Sequence, residues 1–310
     1  MDLQNTLRQR IKMHQKTILA VAAAADEEVI SAVSRAVSEG YVSAILIGDE
    51  PKIRLISQEH GFKLETMTIL HEPDAVMACE KAVKLVSSHE ADLLMKGLVD
   101  TSILLKAVLN KEWGLRTDHL LSHATVFTVP AIDRLFLMSD GAMNIAPDVL
   151  AKQQIIENVV PVAQALGITC PKVAVLCAVE KVNPKMQATL DAAELNALQK
   201  AGKILGCEVD GPIAFDGAVS IEAAHHKGMT SPNAGKADIL IMPNIEAGNI
   251  LFKAVTYFAS GEVASIINGA AVPIVLTSRS DSDEAKFNSI LLAILMAQTQ
   301  GGPHGSDLRP

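Results

Sequence analysis

The stretch PIVLTSRSDSDEAK, residues 273–286, decides how the chain is read. Pro273, Ile274, Val275, Leu276 and Thr277 form a short, β-branched run that is apolar on both parities, the pattern of a strand buried on both faces. Residues 288–297 are apolar enough for a core helix. Strand, polar loop and helix make one step of an α/β fold, with the loop at the carboxyl end of the strand. Ser278, Arg279, Ser280, Asp281 and Ser282 fill that loop. Hydroxyls, a fixed positive charge and unpaired helix amides there suit a phosphate or a carboxylate. The same residues also read as an ordinary helix cap: Asp281 and Glu284 have capping-box spacing, and Asp281 and Asp283 lie within reach of Arg279.

Outward from this step the alternation repeats. Residues 16–23 (KTILAVAA) read as a buried strand, and Asp26-Glu27-Glu28 opens a helix with acids in its first turn. Residues 43–48, 66–70 and 92–95 read as further strands, separated by helices near 51–60 and 74–89. Beyond them, 125–129, 172–178 and 239–242 read as strands and 103–109, 152–166, 189–202 and 221–227 as helices, with Asp210-Gly211-Pro212 as a turn. The expected fold is a two-domain α/β protein with parallel-rich sheets flanked by helices. The tail from Gln298, rich in Gly and polar residues, reads as frayed.

Composition bounds the function. Hydrophobic residues make up 49% of the 310 and aromatics 3%, so the interior is built from small aliphatic side chains. The net charge of −8, with no block of Lys or Arg, argues against nucleic acid as a partner. The apolar runs 17–25 and 290–297 are too short for a bilayer, and MDLQNTLRQRIK lacks a secretory core, so a soluble cytoplasmic protein with no membrane partner is expected. Cys79, Cys170, Cys177 and Cys207 lie in apolar or strand-like surroundings without CxxC pairing, as reduced buried thiols do. Neither GxGxxG after the first strand nor GxxxxGK[ST] occurs, which weakens dinucleotide and P-loop readings.

Other strand ends carry chemistry too. Lys96-Gly97 closes a strand with a cation and a residue that permits close approach of a ligand, or forms a plain strand-to-helix turn. Ser122-His123 precedes the strand at 125, with His123 either a ligand or acid or a satisfied core histidine. Asn144 sits in a small polar loop, residues 139–147. Asn249 and Lys253, four apart, share a helix face.

Together, MKGLVDTSILLKAVL, LLSHATVFTVP, DGAMNIAPD, PKVAVLCAVEKVNPKMQATLDA, DGPIAFDGAVS, PNIEAGNILFKAV and PIVLTSRSDSDEAK resemble the phosphate acetyltransferase and butyryltransferase family, in order and across residues 18–297. The VEKVNPKM and IVLTSRSDS versions are similar to its butyryl branch. The resemblance implies a fold like that of isocitrate and isopropylmalate dehydrogenases, with domains 1–138 plus 275–310 and 139–274 and an active-site cleft between them. It implies the reversible reaction of butanoyl-CoA and phosphate, no bound cofactor, no metal, a coenzyme A thioester as substrate, and a homo-oligomer. It implies Ser278, Arg279 and Asp281 as catalytic residues, with Asp283 the alternative base. Lys96, Gly97, Ser122, His123, Asn144, Asn249, Lys253 and Ser280 are the expected phosphate- and CoA-binding set. Tyr257 stands where acetyltransferases carry an arginine. A different acyl donor and a non-catalytic CoA or acyl-phosphate binding protein are the competing readings.

Overall fold

A computed structural model describes residues 1–13, 17–231 and 233–299. The chain forms two compact units. A split unit comprises Gln4–His119 and Ala264–Pro310, and a middle unit comprises Met1–Leu3 and Leu120–Val263. The chain thus crosses at 119/120 and 263/264, against the 138/139 and 274/275 read from the sequence. The earlier crossing follows from a hairpin that ties 122–139 to the middle unit.

After a short α1 (Leu3–Arg8), the split unit runs β1 (Ile18–Ala22), α2 (Glu27–Ser38), β2 (Ser43–Gly48), α3 (Glu50–His60), β3 (Thr68–His71), α4 (Ala75–Ser87), β4 (Leu93–Lys96) and α5 (Thr101–Val108). The middle unit adds β5 (Ser122–Val129), β6 (Ile132–Ser139), α6 (Val149–Ala165), β7 (Lys172–Leu176), α7 (Gln187–Lys200), β8 (Glu208–Ile213), α8 (Phe215–Val219), α9 (Ile221–His226), β9 (Ile239–Ile241) and α10 (Ile245–Tyr257). β10 (Glu262–Asn268) carries the chain back to the split unit, which ends with β11 (Ile274–Val275) and α11 (Asp283–Thr299).

Within the split unit the strands lie in the order β3-β2-β1-β4-β11-β10, parallel except for β10 against β11. From β1 the chain winds outward through β2 and β3, then returns to place β4 on β1's other side. The carboxyl ends of β1 and β4 therefore flank a topological switch point, where open α/β sheets bind ligands. Within the middle unit the order is β5-β6-β9-β7-β8, with a switch between β7 and β9. Small aliphatic residues fill both faces: β4 is wholly buried, and α11 is buried without interruption from Lys286 to Ala297.

Several elements differ from the sequence reading. β11 is only two residues long, and α11 begins at Asp283, five residues before the expected core helix. Its cap is Ser282, whose Oγ accepts the Ala285 N–H at 3.2 Å, rather than Asp281. β8 runs through Asp210-Gly211-Pro212, read as a turn; β8 is an edge strand, and its register against β7 shifts between Ala174 and Leu176, which accommodates a proline without a ladder donor. Cys170 is exposed and Cys177 half-buried, against the burial expected of all four cysteines. Gln298 and Thr299 still belong to α11, and the rest of the tail lies outside the described residues.

Candidate active site

In the split unit the site begins with the end of β1. Ala23 follows it with φ of 53°, a left-handed conformation uncommon for a residue with a Cβ. The carbonyls of Ala22 and Ala23 accept the N–H groups of Gly97 and Leu98, both at 2.8 Å, so the chain leaving β4 is stitched to the end of β1. A Cβ on Gly97 would collide with both carbonyl oxygens. The close approach that Gly97 permits is thus to the protein's own backbone.

Lys96, the last residue of β4, is 4% exposed, and its Nζ donates to the carbonyls of Gly97 and Val99 at 3.1 Å each. Burial, and then the neighbouring charges of Arg279 and Lys286, hold its ammonium below the usual lysine value, with Asp26 opposing them. Asp26 caps α2 by accepting the Val29 N–H at 3.0 Å, and burial raises its carboxyl pKa above the usual value.

The loop after β11 supplies the rest. Asp281 folds it by accepting the Ser278 N–H at 2.8 Å, and the Ser278 and Ser280 hydroxyls lie 3.1 Å apart. Arg279 pairs with Asp100 at 2.6 Å, not with Asp281 or Asp283, and both partners are more than half exposed. Asp100 stands at the N-cap of α5 without making a capping bond. Asp283 instead accepts the Ser31 hydroxyl of α2 at 2.9 Å. Lys286 Nζ donates to the Asp281 carbonyl. Strand-end cations were legible in the sequence; the Asp100 partner of Arg279 was not, because it is distant in the chain, and neither was the charge that Asp26 and Lys286 place on Lys96.

Three cations from two strand ends and one helix thus face one corner of an acidic protein, an arrangement that attracts an anion. Cys79, close enough to Lys96 to feel its charge, is pushed up by burial to about 11, which makes a poor nucleophile.

The middle unit holds the remaining candidates. Ser122 is fully buried, its Oγ accepting from Asn158 at 2.9 Å. His123 lies within β5 rather than before it, 6% exposed and edge-on to Phe252 at 6.1 Å. Asp140 follows β6 and gathers the N–H groups of Ala142, Met143 and Asn144. Asn144 Nδ2 bonds Asp140 at 2.6 Å and the Leu121 carbonyl at 2.9 Å. On α10, Asn249 Nδ2 reaches the Gly141 carbonyl at 3.4 Å, and Lys253 lies 4.9 Å from the Phe252 ring and 5.9 Å from Tyr257. Gly248 lets α10 pack directly on Asp140 and Gly141, where a Cβ would collide. An apolar cavity of about 340 Å³, lined by Phe127, Ile132, Phe215, Val255 and Phe258 among others, lies toward the 129–132 hairpin turn. The β5–β6 register puts that turn at the far end of the pair from Ser139.

A family model described as phosphate acetyl/butaryl transferase matches residues 74–294. The chain is 48% identical over 293 residues to a phosphate butyryltransferase of Clostridium acetobutylicum, covering 94% of this chain and 97% of that one. It is similar to the crystal structure of a branched-chain phosphotransacylase from Enterococcus faecalis V583, with a TM-score of 0.80 and 36% identity, covering 90% and 98% of the two chains. At the level of fold alone it resembles 4-hydroxythreonine-4-phosphate dehydrogenase from Klebsiella pneumoniae, with a TM-score of 0.53, 16% identity and coverage of 92% and 100%.

Proposed function

Because the chain belongs to the phosphate acetyl/butaryl transferase family of acyltransferases, we propose that it converts butanoyl-CoA and phosphate to butanoyl phosphate and CoA, reversibly and by direct transfer. The observation that carries this reading is the convergence of Lys96, Arg279 and the Ser278–Asp281 turn at the carboxyl ends of β4 and β11, beside the switch point.

Both substrates are polyanions and the reaction passes through a tetrahedral oxyanion, so fixed donors matter more than a protein nucleophile. Arg279 exchanges exposed Asp100 for two phosphate oxygens, a bidentate grip that an ammonium cannot copy. Lys96 neutralises a third oxygen, and Ser278, supported by Ser280, donates to the oxyanion. In the direction that forms butanoyl-CoA, a thiol of pKa about 8.5 is only a few per cent thiolate at neutral pH. Asp281 takes the thiol proton, sulfur attacks the acyl carbon, and the C–O bond to phosphate breaks. Asp281, whose carboxylate closes on the Ser278 N–H within the turn itself, is preferred to Asp283, which is tied to α2 by Ser31. Asn249, Lys253 and His123 are assigned to CoA, with Ser122 and Asn144 supporting the segments that carry them; Gly97 serves by keeping β4 close to β1.

The apolar cavity reaches the 129–132 turn and is not assigned to the acyl chain. Beside it, just past the end of α10, Phe258 is 92% exposed, which supports a homo-oligomer contact there. Light scattering that returns a monomer mass removes that assignment.

The deciding experiment is release of CoA thiol from butanoyl-, acetyl- and branched acyl-CoA with and without phosphate. Phosphate-dependent release, fastest with butanoyl-CoA, is expected. Two methylenes at about 0.8 kcal/mol each limit the preference over acetyl-CoA to roughly tenfold unless the pocket adds steric exclusion. Fastest release from acetyl-CoA or from a branched donor would move the chain to that substrate, and no release with any donor would leave a binding protein.

A further inference from the structure

Lys286, the fourth residue of α11, has no role in the reaction as described so far. It is 3% exposed, a rare place for a lysine that is not tied into a network. Its Nζ donates to the Asp281 carbonyl, while the Asp281 carboxylate holds the Ser278 N–H. The reacting turn is therefore fastened at both ends of one residue. α2 packs alongside, bound to the start of α11 by Ser31 to Asp283 and by Arg35 to Glu284. Asp26 at the N-cap of α2 and Lys96 at the end of β4 both feel the charge of Lys286. Two buried ammonium groups beside one guanidinium repel one another and lose hydration, a cost that a bound anion offsets.

We propose that Lys286 is a positioning residue of the phosphate site: it sets the Ser278–Asp281 turn through the Asp281 carbonyl and stands as the third cation behind the bound phosphate. The proposal rests on the phosphate-transfer reading above. A merely structural lysine would leave the substrate constants of the folded protein unchanged.

The test compares the wild-type chain with Lys286→Met, which keeps the stem and removes the charge, and uses Arg279→Lys as a reference. Lys286→Met is expected to raise the KM for phosphate by at least about tenfold, with the KM for butanoyl-CoA held within about twofold. A phosphate KM within about twofold of wild type, or equal losses for both substrates, overturns the proposal. The second arm needs no inactive variant: the side-chain ammonium resonance of Lys286 in nitrogen-15 lysine-labelled wild type, assigned by its loss in Lys286→Arg, is followed during titration with inorganic phosphate. It is expected to move together with that of Lys96. Movement of Lys96 alone overturns the role of Lys286 and leaves the transferase reading standing, whereas a wild type without phosphate-dependent CoA release overturns the transferase reading itself.

Discussion

Charge on single residues gives the sharpest expectations. On the proposed function Lys96 acts as an ammonium, and burial with its cationic neighbours lowers its pKa from 10.5, so its charge is lost earlier than a free amine's as pH rises. Phosphate affinity should therefore fall on an alkaline limb below 10.5, and Lys96→Arg should move that limb upward in a profile of kcat/KM for phosphate; an unmoved limb removes Lys96 from the site. Arg279→Lys keeps charge and loses the fork, and should raise the phosphate KM by about tenfold or more in saturation kinetics. Asp26 shows the opposite sign. Its folded pKa is raised above 3.8, so its contribution to stability is present below 3.8 and lost as pH rises through the folded value. Asp26→Asn keeps an acceptor for Val29 and should flatten the dependence of Tm on pH across that window; an unchanged slope excludes Asp26 as its source. Lys96 and Arg279 were readable because each ends an apolar run. Nothing in the local pattern marked Asp26 as more than a cap, or Lys286 as more than one charge in a solvated first turn.

At the level of elements, helices with clean caps were legible: Asp26, Asp49 and Asp74 each accept a backbone N–H where a helix was expected to begin. Strands buried on both faces were harder. β10, EVASIIN, is apolar on both parities, a pattern that periodicity does not separate from a helix, and β6 followed Pro130 too closely to be read as a new strand. α11 was foreseen as a core helix with a capping-box reading at Asp281, one residue before the Ser282 that caps it. Ser282→Ala removes the cap on that turn and should cost about 1 kcal/mol, seen as a Tm lowered by a few degrees. In α6 and α7 the buried pair Lys152–Asp191, at 2.5 Å, is stabilising only as a pair. Lys152→Ala leaves Asp191 uncompensated and should cost about 3–5 kcal/mol in denaturant unfolding, whereas a loss below about 1 kcal/mol would show that water reaches the carboxylate.

For the whole molecule, the α/β class and the repeated placement of polar groups at strand ends followed from alternation alone, while the order of strands did not. The switch between β1 and β4 exists because β4 returns to the side of β1 away from β2, a choice that no local pattern records. It brings Lys96 and Asp26 within electrostatic reach of each other although they are far apart in sequence. The hairpin partner of β5 likewise decides to which unit residues 122–139 belong.

The split unit also fixes an order of events during synthesis. β4 pairs with β1 on one side and with β11 on the other, and residues 120–263 intervene before β11 is made. At ribosomal speed that interval is on the order of ten seconds, during which the edge of β4 at Leu94 and Met95 has no partner strand. The side of β4 that β11 will cover is thus an apolar strand edge left open on the nascent chain until β11 closes it.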